Sequence, residues 1–240
     1  MYTPITPLKK TEMLVSVLMP VYNEVDTIAE IVERVRAAPY LTEIICVDDC
    51  STDGTRDILA KLLAEGKIQQ AIYQQRNRGK GAAVRTAIAA SHGDVVIVQD
   101  ADLEYNPSDW PQLFEPLIQG RADAVFGSRF LGGTHRVLYY WHAIGNGLLT
   151  TLSNMFSNLN LTDMECCYKA VRGDLARSLS LRSERFGFEP EITAKLAHCN
   201  ARIFEVPVSY SGRTYLEGKK ITWRDGFAAL LHIIRYNVFP

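Results

Sequence analysis

The chain has 240 residues, 47% of them hydrophobic, with a formal charge of −1 at pH 7 and a pI near 6.5. That is enough apolar material for one large domain or two small ones, and it leaves no overall basic field of the kind that draws a protein to nucleic acid. The five cysteines (Cys46, Cys50, Cys166, Cys167 and Cys199) are odd in number and contain no Cys-x-x-Cys pair, which argues against a disulfide framework or a zinc site and fits a reducing, cytosolic setting.

Residues 1–13 lack the apolar core of a signal peptide and read as a loosely held polar arm. Leu14–Met19 is a strand of the buried type, ending at Pro20. Asn23-Glu24 follows, then a helical pattern with Ile28, Ile31, Val32 and Val35 on one face, stopped by Pro39. Glu43–Val47 is a second strand, finishing in Asp48-Asp49-Cys-Ser-Thr-Asp-Gly54, where Ser51 or Thr52 can cap a helix carrying Ile58, Leu59, Leu62 and Leu63. Ala71–Tyr73 is a third strand, and Asn77-Arg-Gly-Lys-Gly81 opens a helix with Ala83, Val84, Ala87 and Ile88. Val95–Val98, β-branched throughout, is a fourth strand that ends in Asp100-Ala101-Asp102, with Glu104 just beyond.

Pro107–Gln119 is predicted as a helix and Ala124–Phe126 as a strand leading into Gly127-Ser-Arg129. Arg136–Leu161 is amphipathic, one helix or two, and unusually apolar for a surface. Asp163–Lys169 is a turn or strand, and Gly173–Leu181 a short helix. Phe186–Pro190 precedes a helix over Glu191–His198. Ala201–Val206 is a strand and Ser209–Lys220 a polar loop. Thr222–Phe239 is a closing helix with Phe227, Leu230, Leu231, Ile234 and Val238 in one stripe. No apolar run of about eighteen residues occurs, so nothing is expected to span a bilayer.

Strand and helix alternate four times, which predicts an α/β domain with a mostly parallel sheet and helices on both faces. In such a sheet the polar clusters Pro20–Glu24, Asp48–Gly54 and Asp100–Glu104 share one rim, where open α/β folds bind ligands. Alone, an Asp-x-Asp pair marks a turn or cap more often than a site. Carboxylates crowded at a rim repel one another unless a cation sits between them, so a divalent metal is the simple inference. A dinucleotide fold would need G-x-G-x-x-G after the first strand, and that place holds Pro-Val-Tyr-Asn-Glu. No P-loop is present either. Gly79-Lys80-Gly81 is either an anion-receiving helix start or a flexible turn.

Five motifs in order resemble the inverting family 2 glycosyltransferases: Pro20-Val-Tyr-Asn-Glu24, Val47–Gly54, Asn77–Gly81, Asp100–Glu104 and Gly127–Arg129. The likeness is strongest to the dolichyl-phosphate mannose synthase and polyprenyl-phosphate hexosyltransferase branch. Thr162-Asp163 before the Tyr168-Lys169 pair, and Arg213 followed by Lys219, are similar to that branch too. The resemblance implies a GT-A fold, a single domain over 14–240 with a nucleotide-sugar half (14–130) and an acceptor half (131–240) ending in amphipathic helices. It implies a nucleotide-diphosphate sugar donor, of the GDP-mannose or UDP-glucose type, held by Pro20, Tyr22, Glu24, Val47, Asp49, Lys80, Asp100, Ala101, Asp102, Arg129, Arg213 and Lys219. Tyr22 would offer a stacking face, and Asp49 would accept from a base N–H. Asp49's other reading is a helix cap, a part Asp48 can take instead. Asp100, Asp102 and Glu104 would hold Mg²⁺ or Mn²⁺ across the diphosphate; Glu104 stands where the resemblance leads one to expect glutamine, and its extra charge predicts poor metal-free donor binding.

Asp102, Arg129 and Asp163 would carry the chemistry, a displacement at the anomeric carbon with a nucleoside diphosphate leaving. Arginine grips phosphate with two donors, lysine as a point charge; Lys220 is a further candidate. The implied acceptor is a polyprenyl phosphate, already an anion near neutral pH. A saccharide or other hydroxyl acceptor would instead need a base, for which Asp163 and Glu189 are candidates. A nucleotide-sugar-binding protein without turnover is the non-enzymatic alternative. His92, His135 and His142 have no zinc-ligand spacing, and Cys166-Cys167 suggests packing. The apolar stretches 136–161 and 222–239, the second with Trp223, Arg224, Arg235 and Phe239, suit helices packed on the sheet, a homo-oligomer contact, or a face seated on the cytoplasmic side of a membrane or on a membrane-spanning partner.

Overall fold

β1 (Leu14–Val21) lies inside the sheet, with β2 (Leu41–Asp48) on one side and β4 (Val95–Val98) on the other, both parallel to it. Helices cover both faces, so these strands are near-continuous apolar runs rather than alternating ones: Val15, Val17, Leu18 and Met19 of β1, Ile44–Val47 of β2 and all of β4 are buried. The computed structural model describes residues 7–132, 134–137, 139–214, 217 and 223–238, with the side chains of the last segment described from 226.

Among the described residues the sheet has seven strands in the order β3-β2-β1-β4-β6-β5-β7, with β3 at Gln70–Tyr73, β5 at Ala124–Ser128, β6 at Lys169–Arg172 and β7 at Ile203–Pro207. Six strands point the same way; β6 alone runs against its neighbours β4 and β5. The helices are α1 (Ile28–Arg36), α2 (Thr55–Ala64), α3 (Lys80–Ala90), α4 (Trp110–Ile118), α5 (Tyr140–Ser157), α6 (Gly173–Ser178), α7 (Phe188–His198) and α8 (Trp223–Val238). α1 shows why the pattern reads well: Ile28, Ile31, Val32 and Val35 form its buried stripe at helical spacing. The predicted mostly parallel α/β sheet is the observed one.

Several local expectations change. A single turn of 3-10 helix (Pro107–Asp109), capped by Asn106, comes before α4, and Arg136–Leu161 contains one helix, not two. The run Asp163–Lys169 is a turn feeding β6, a strand whose four residues give no periodicity to detect. Neither Ser51 nor Thr52 caps α2. Asp53 Oδ1 accepts from Thr55 N at 3.0 Å, while the Ser51 hydroxyl accepts from Asn23 N and Thr52 N donates to the Asn23 side chain, both at 2.9 Å. Those two residues therefore tie the exit loop of β2 to that of β1. The arm is anchored from residue 7 on: Leu8 N donates to Ile118 O at 3.0 Å, and Met13 is buried.

β6 passes straight into α6 through Gly173, whose N–H donates to Asp94 O at 2.8 Å. A Cβ at this position would stand 2.0 Å from Gly93 O, so the approach of the two backbones is possible only for glycine. Gly173→Ala is expected to cost about 1–3 kcal/mol, read as a fall in the thermal midpoint of about 2–4 °C per kcal/mol; a midpoint within error of the wild type would show that β4 and α6 can part without loss.

Candidate functional site

The exits of β1, β2, β4, β5 and β7 share one edge of the sheet. Because β6 is reversed, its entrance lies at the same edge, and this brings Thr162–Tyr168 beside them. α3 starts there after β3, and α7 presents Glu189 in its first turn.

On the β1–β3 side, Tyr22 is 38% exposed at the exit of β1. Asp49 spends both oxygens on the loop before α3, accepting from Arg78 N and Gly79 N at 2.7 Å each. Burial nonetheless raises its carboxyl above the usual range. Asp48 caps no helix either: it accepts from Cys50 N and Ser51 N, closing the loop that leaves β2, and pairs with Arg56 of α2 at 2.6 Å. Pro20 and Val47 are paired in register near the ends of β1 and β2. The side chains of Val47 and Ala101 are buried in the core, so either would meet a ligand only through its backbone.

The acidic rim is built on an unusual backbone. Leu103 has φ 64°, the left-handed region that a leucine avoids, and Asp102 Oδ1 accepts from Glu104 N at 3.1 Å to close the turn. Glu104 is committed on both oxygens, to Tyr210 Oη and to Arg213 N, each at 2.8 Å. The Arg213 guanidinium lies 3.1 Å from Asp102 and 3.2 Å from Glu24. Lys80 bridges Asp100 at 3.1 Å and Glu189 at 2.9 Å. Burial works against the Lys80 charge, but the two carboxylates outweigh it and raise its pKa.

Burial, with the charges of Asp100 and Glu104, pushes Asp102 up to about 7 despite Arg213. That surplus of negative charge is what a divalent cation relieves, and carboxylate oxygens suit Mg²⁺ or Mn²⁺. Asp100 and Asp102 fit such an ion. Glu104 in addition anchors the 209–213 segment, both of its oxygens accepting hydrogen bonds as both oxygens of Asp102 do.

Across the rim, Arg129 and Asp163 form a two-pronged pair at 2.6 and 2.7 Å, and Asp163 also accepts from Arg129 N at 3.1 Å. Burial opposes ionisation of Asp163, yet Arg129 holds its carboxyl below the ordinary value. Asn146 of α5 touches both partners at 3.1 Å, and Glu205 of β7 accepts from Thr162 N and Asp163 N. Tyr210 lies under the Arg129 guanidinium, 5.2 Å from ring centre to Cζ. Asn146, Glu205, Tyr210 and Glu165 were not singled out from sequence; only Asn146, a polar residue between two glycines in an apolar helix, carried a readable signal.

Glu165 sits beneath this network. Burial and the nearby charge of Glu189 push its carboxyl up to about 8, and its Oε1 has no hydrogen-bond partner. Cys166 and Cys167 are buried core residues, with burial pushing the Cys166 thiol up to about 11, so neither is an activated nucleophile. Lys219 and Lys220 lie outside the described residues, as do Phe239 and the side chains of Trp223 and Arg224.

A family model described as Glycosyl transferase family 2 matches residues 16–179. Among curated proteins, the undecaprenyl-phosphate mannosyltransferase of Micrococcus luteus is 30% identical over 221 residues, 86% of this chain and 87% of that protein. An undecaprenyl-phosphate 4-deoxy-4-formamido-L-arabinose transferase of Edwardsiella ictaluri is 31% identical over 88% of this chain. A dodecaprenyl-phosphate galacturonate synthase of Rhizobium johnstonii is 28% identical over 90% of it. The chain spans only 64% and 65% of those two proteins. Among solved structures, glucosyl-3-phosphoglycerate synthase from Mycobacterium tuberculosis, in complex with Mn²⁺, UDP and glucosyl-3-phosphoglycerate, superposes with a TM-score of 0.73 at 20% identity, over 95% of this chain and 81% of that one. At that identity the likeness speaks for the fold, which is GT-A-like.

The half-buried Glu165, with its Oε1 shielded from solvent, has a consequence for stability. In the unfolded chain a glutamate releases its proton near the ordinary value of 4.5; in the folded protein it keeps it up to about 8. The unfolded state therefore binds fewer protons across that interval, and stability falls as pH rises through it. Glu165→Gln removes the penalty: its thermal midpoint should match the wild type near about pH 4.5 and exceed it above about pH 8. Equal midpoints at both pH values would count against a protonated Glu165.

Proposed function

This chain belongs to glycosyl transferase family 2, and we propose that it moves a hexose from a nucleoside-diphosphate sugar to a polyprenyl phosphate, with inversion at the anomeric carbon. The observation that carries the choice of acceptor is the Arg129–Asp163 pair. An acceptor hydroxyl would need a base, and Asp163 is ill suited to be one. Its pKa is lowered and both of its oxygens are engaged by Arg129. Glu189, the other candidate, is tied to Lys80. A phosphate monoester already carries the attacking negative charge, so no proton has to be removed. The names of the three curated relatives, all acting on polyprenyl phosphates, support the same choice.

In this reading a phosphate oxygen of the acceptor forms the new bond to C1 from one side. The bond from C1 to the donor diphosphate breaks on the other, and its electron pair leaves with the nucleoside diphosphate. Tyr22 and the Asp49 loop flank the base and ribose. Arg213 and Lys80 supply positive charge for the leaving diphosphate, and Arg129, fixed by Asp163, Asn146 and Glu205, faces the reacting phosphates. A divalent cation held by Asp100 and Asp102 would neutralise diphosphate charge when bound.

The acceptor's polyprenyl chain lies in a bilayer, and α5 presents a matching surface. Its buried residues are the small polar Thr150 and Ser153, while Trp141 is 77% exposed, Met155 74% and Leu148 60%. α8 packs against α5 and adds the exposed Phe227 and Leu231. No helix among the described residues is long and apolar enough to cross a membrane. The α5–α8 face is therefore read as one that lies on the bilayer surface, on its cytoplasmic side.

Labelled UDP- and GDP-sugars offered with detergent-dispersed polyprenyl phosphate should give a lipid-linked product that soluble saccharides do not; product on a saccharide alone would overturn the acceptor assignment. Asp102→Asn should cut transfer by at least about 100-fold. Leu148→Glu with Phe227→Glu should abolish sedimentation with anionic vesicles yet leave nucleotide-induced thermal stabilisation unchanged; undiminished sedimentation would remove this face from the membrane.

A further inference from the structure

Four carboxylates meet at the acidic rim: Glu24, Asp100, Asp102 and Glu104. Among the described residues the ion pairs there run through two cations. Lys80 serves Asp100, and Arg213 serves the rest, 3.2 Å from Glu24, 3.1 Å from Asp102 and 3.6 Å from Glu104. Arg213 is only 20% exposed, and its own N–H is fastened to Glu104 at 2.8 Å. Its guanidinium thus covers Asp102 Oδ2, one of the oxygens that the donor-site reading gives to a metal ion.

We propose that Arg213 is a resident counter-ion, standing on Asp102 in the metal's place and released to the diphosphate only when the metal arrives, so that metal and nucleoside diphosphate bind cooperatively. The proposal rests on the donor-site reading above and deepens it. A divalent cation arriving alone must displace the guanidinium from Asp102, leaving Arg213 to Glu24 and Glu104 beside a newly arrived positive charge. A diphosphate arriving alone can draw Arg213 away, but this leaves Asp102 beside Asp100 and Glu104 without the guanidinium that balanced it, Lys80 remaining on Asp100. When both arrive, the cation replaces Arg213 on the carboxylates and the diphosphate receives Arg213, so neither charge is stranded. Each ligand must then raise the affinity of the other by the same factor. Because Glu104 keeps hold of the Arg213 backbone, the side chain can swing while its Cα stays.

Titration calorimetry with Mn²⁺ alone, and with UDP or GDP in the presence and absence of Mn²⁺, tests this on the wild type, Arg213→Gln and Arg213→Lys. Wild-type nucleotide affinity should rise on the order of 10-fold with Mn²⁺. Arg213→Gln should bind Mn²⁺ alone on the order of 10-fold more tightly than the wild type, and Arg213→Lys, which keeps the charge, should stay within about 3-fold of it. Nucleotide affinity that Mn²⁺ leaves unchanged in the wild type would overturn the proposal without recourse to any variant. So would equal Mn²⁺ affinity in the wild type and Arg213→Gln, or a lysine variant as tight as the glutamine one. Those outcomes leave the donor site standing if Mn²⁺ and nucleotide still bind. If no protein takes up Mn²⁺ even with nucleotide present, the metal-assisted reading itself falls, and the counter-ion with it.

Discussion

A parallel sheet sends every strand exit to one edge, and the single reversed strand β6 adds an entrance there. The Arg129–Asp163 side of the rim hangs on that reversal. The turn before β6 delivers Asp163 to the rim, and Lys169, buried at the head of the strand, donates to the carbonyls of Met164 and Cys166 and lies over the Phe126 ring. A charged side chain is thereby spent on holding a turn. The turn holds Asp163, Asp163 holds Arg129, and Glu205 of β7 fastens the same turn from the other side. Run β6 the other way and Asp163 would open at the far edge, with Arg129 left unpaired.

The second constraint is charge balance in a partly buried place. Ions removed from water are tolerable when each has a partner and its remaining hydrogen bonds are made. Arg129 with Asp163, Lys80 between Asp100 and Glu189, and Arg213 among Glu24, Asp102 and Glu104 have their ionic partners before any ligand arrives, while Glu189 Oε2 and Arg213 Nε stay without a hydrogen-bond partner among the described residues. Ligand binding at such a rim is an exchange of partners. Dipoles and charges already in position need little reorganisation when charge moves during the reaction.

The sheet and its helices were largely readable from sequence because α/β folds advertise themselves locally. β4 is four β-branched residues followed by acids, and α1 is a clean stripe. Motif order carried the rim as well, since parallel strands force their exits together. What escaped was whatever depends on contacts distant in sequence. β6 is too short to show a period, and its direction is set by pairing with two strands. Tyr210 and Glu205 are ordinary residues until folding places them beside Glu104 and Thr162. Glu104 was named with the acidic motif as the resemblance implies, but no motif shows that Tyr210 and the backbone of Arg213 engage both of its oxygens. α5 was legible as amphipathic, with its apolar side left open between the sheet, a second subunit and a membrane; the fold turns that side outward and its hydroxyls inward.

Leu103 carries a last implication. With φ at 64°, the link between Asp102 and Glu104 is held in a conformation that glycine adopts freely, asparagine tolerates, and valine or isoleucine resist. The side chain there is partly buried against the core. The spelling of the acidic motif is therefore restricted at its least chemical letter: drift among descendants of this chain should run through flexible or amide residues at 103 and avoid β-branched ones, whatever sugar they come to carry.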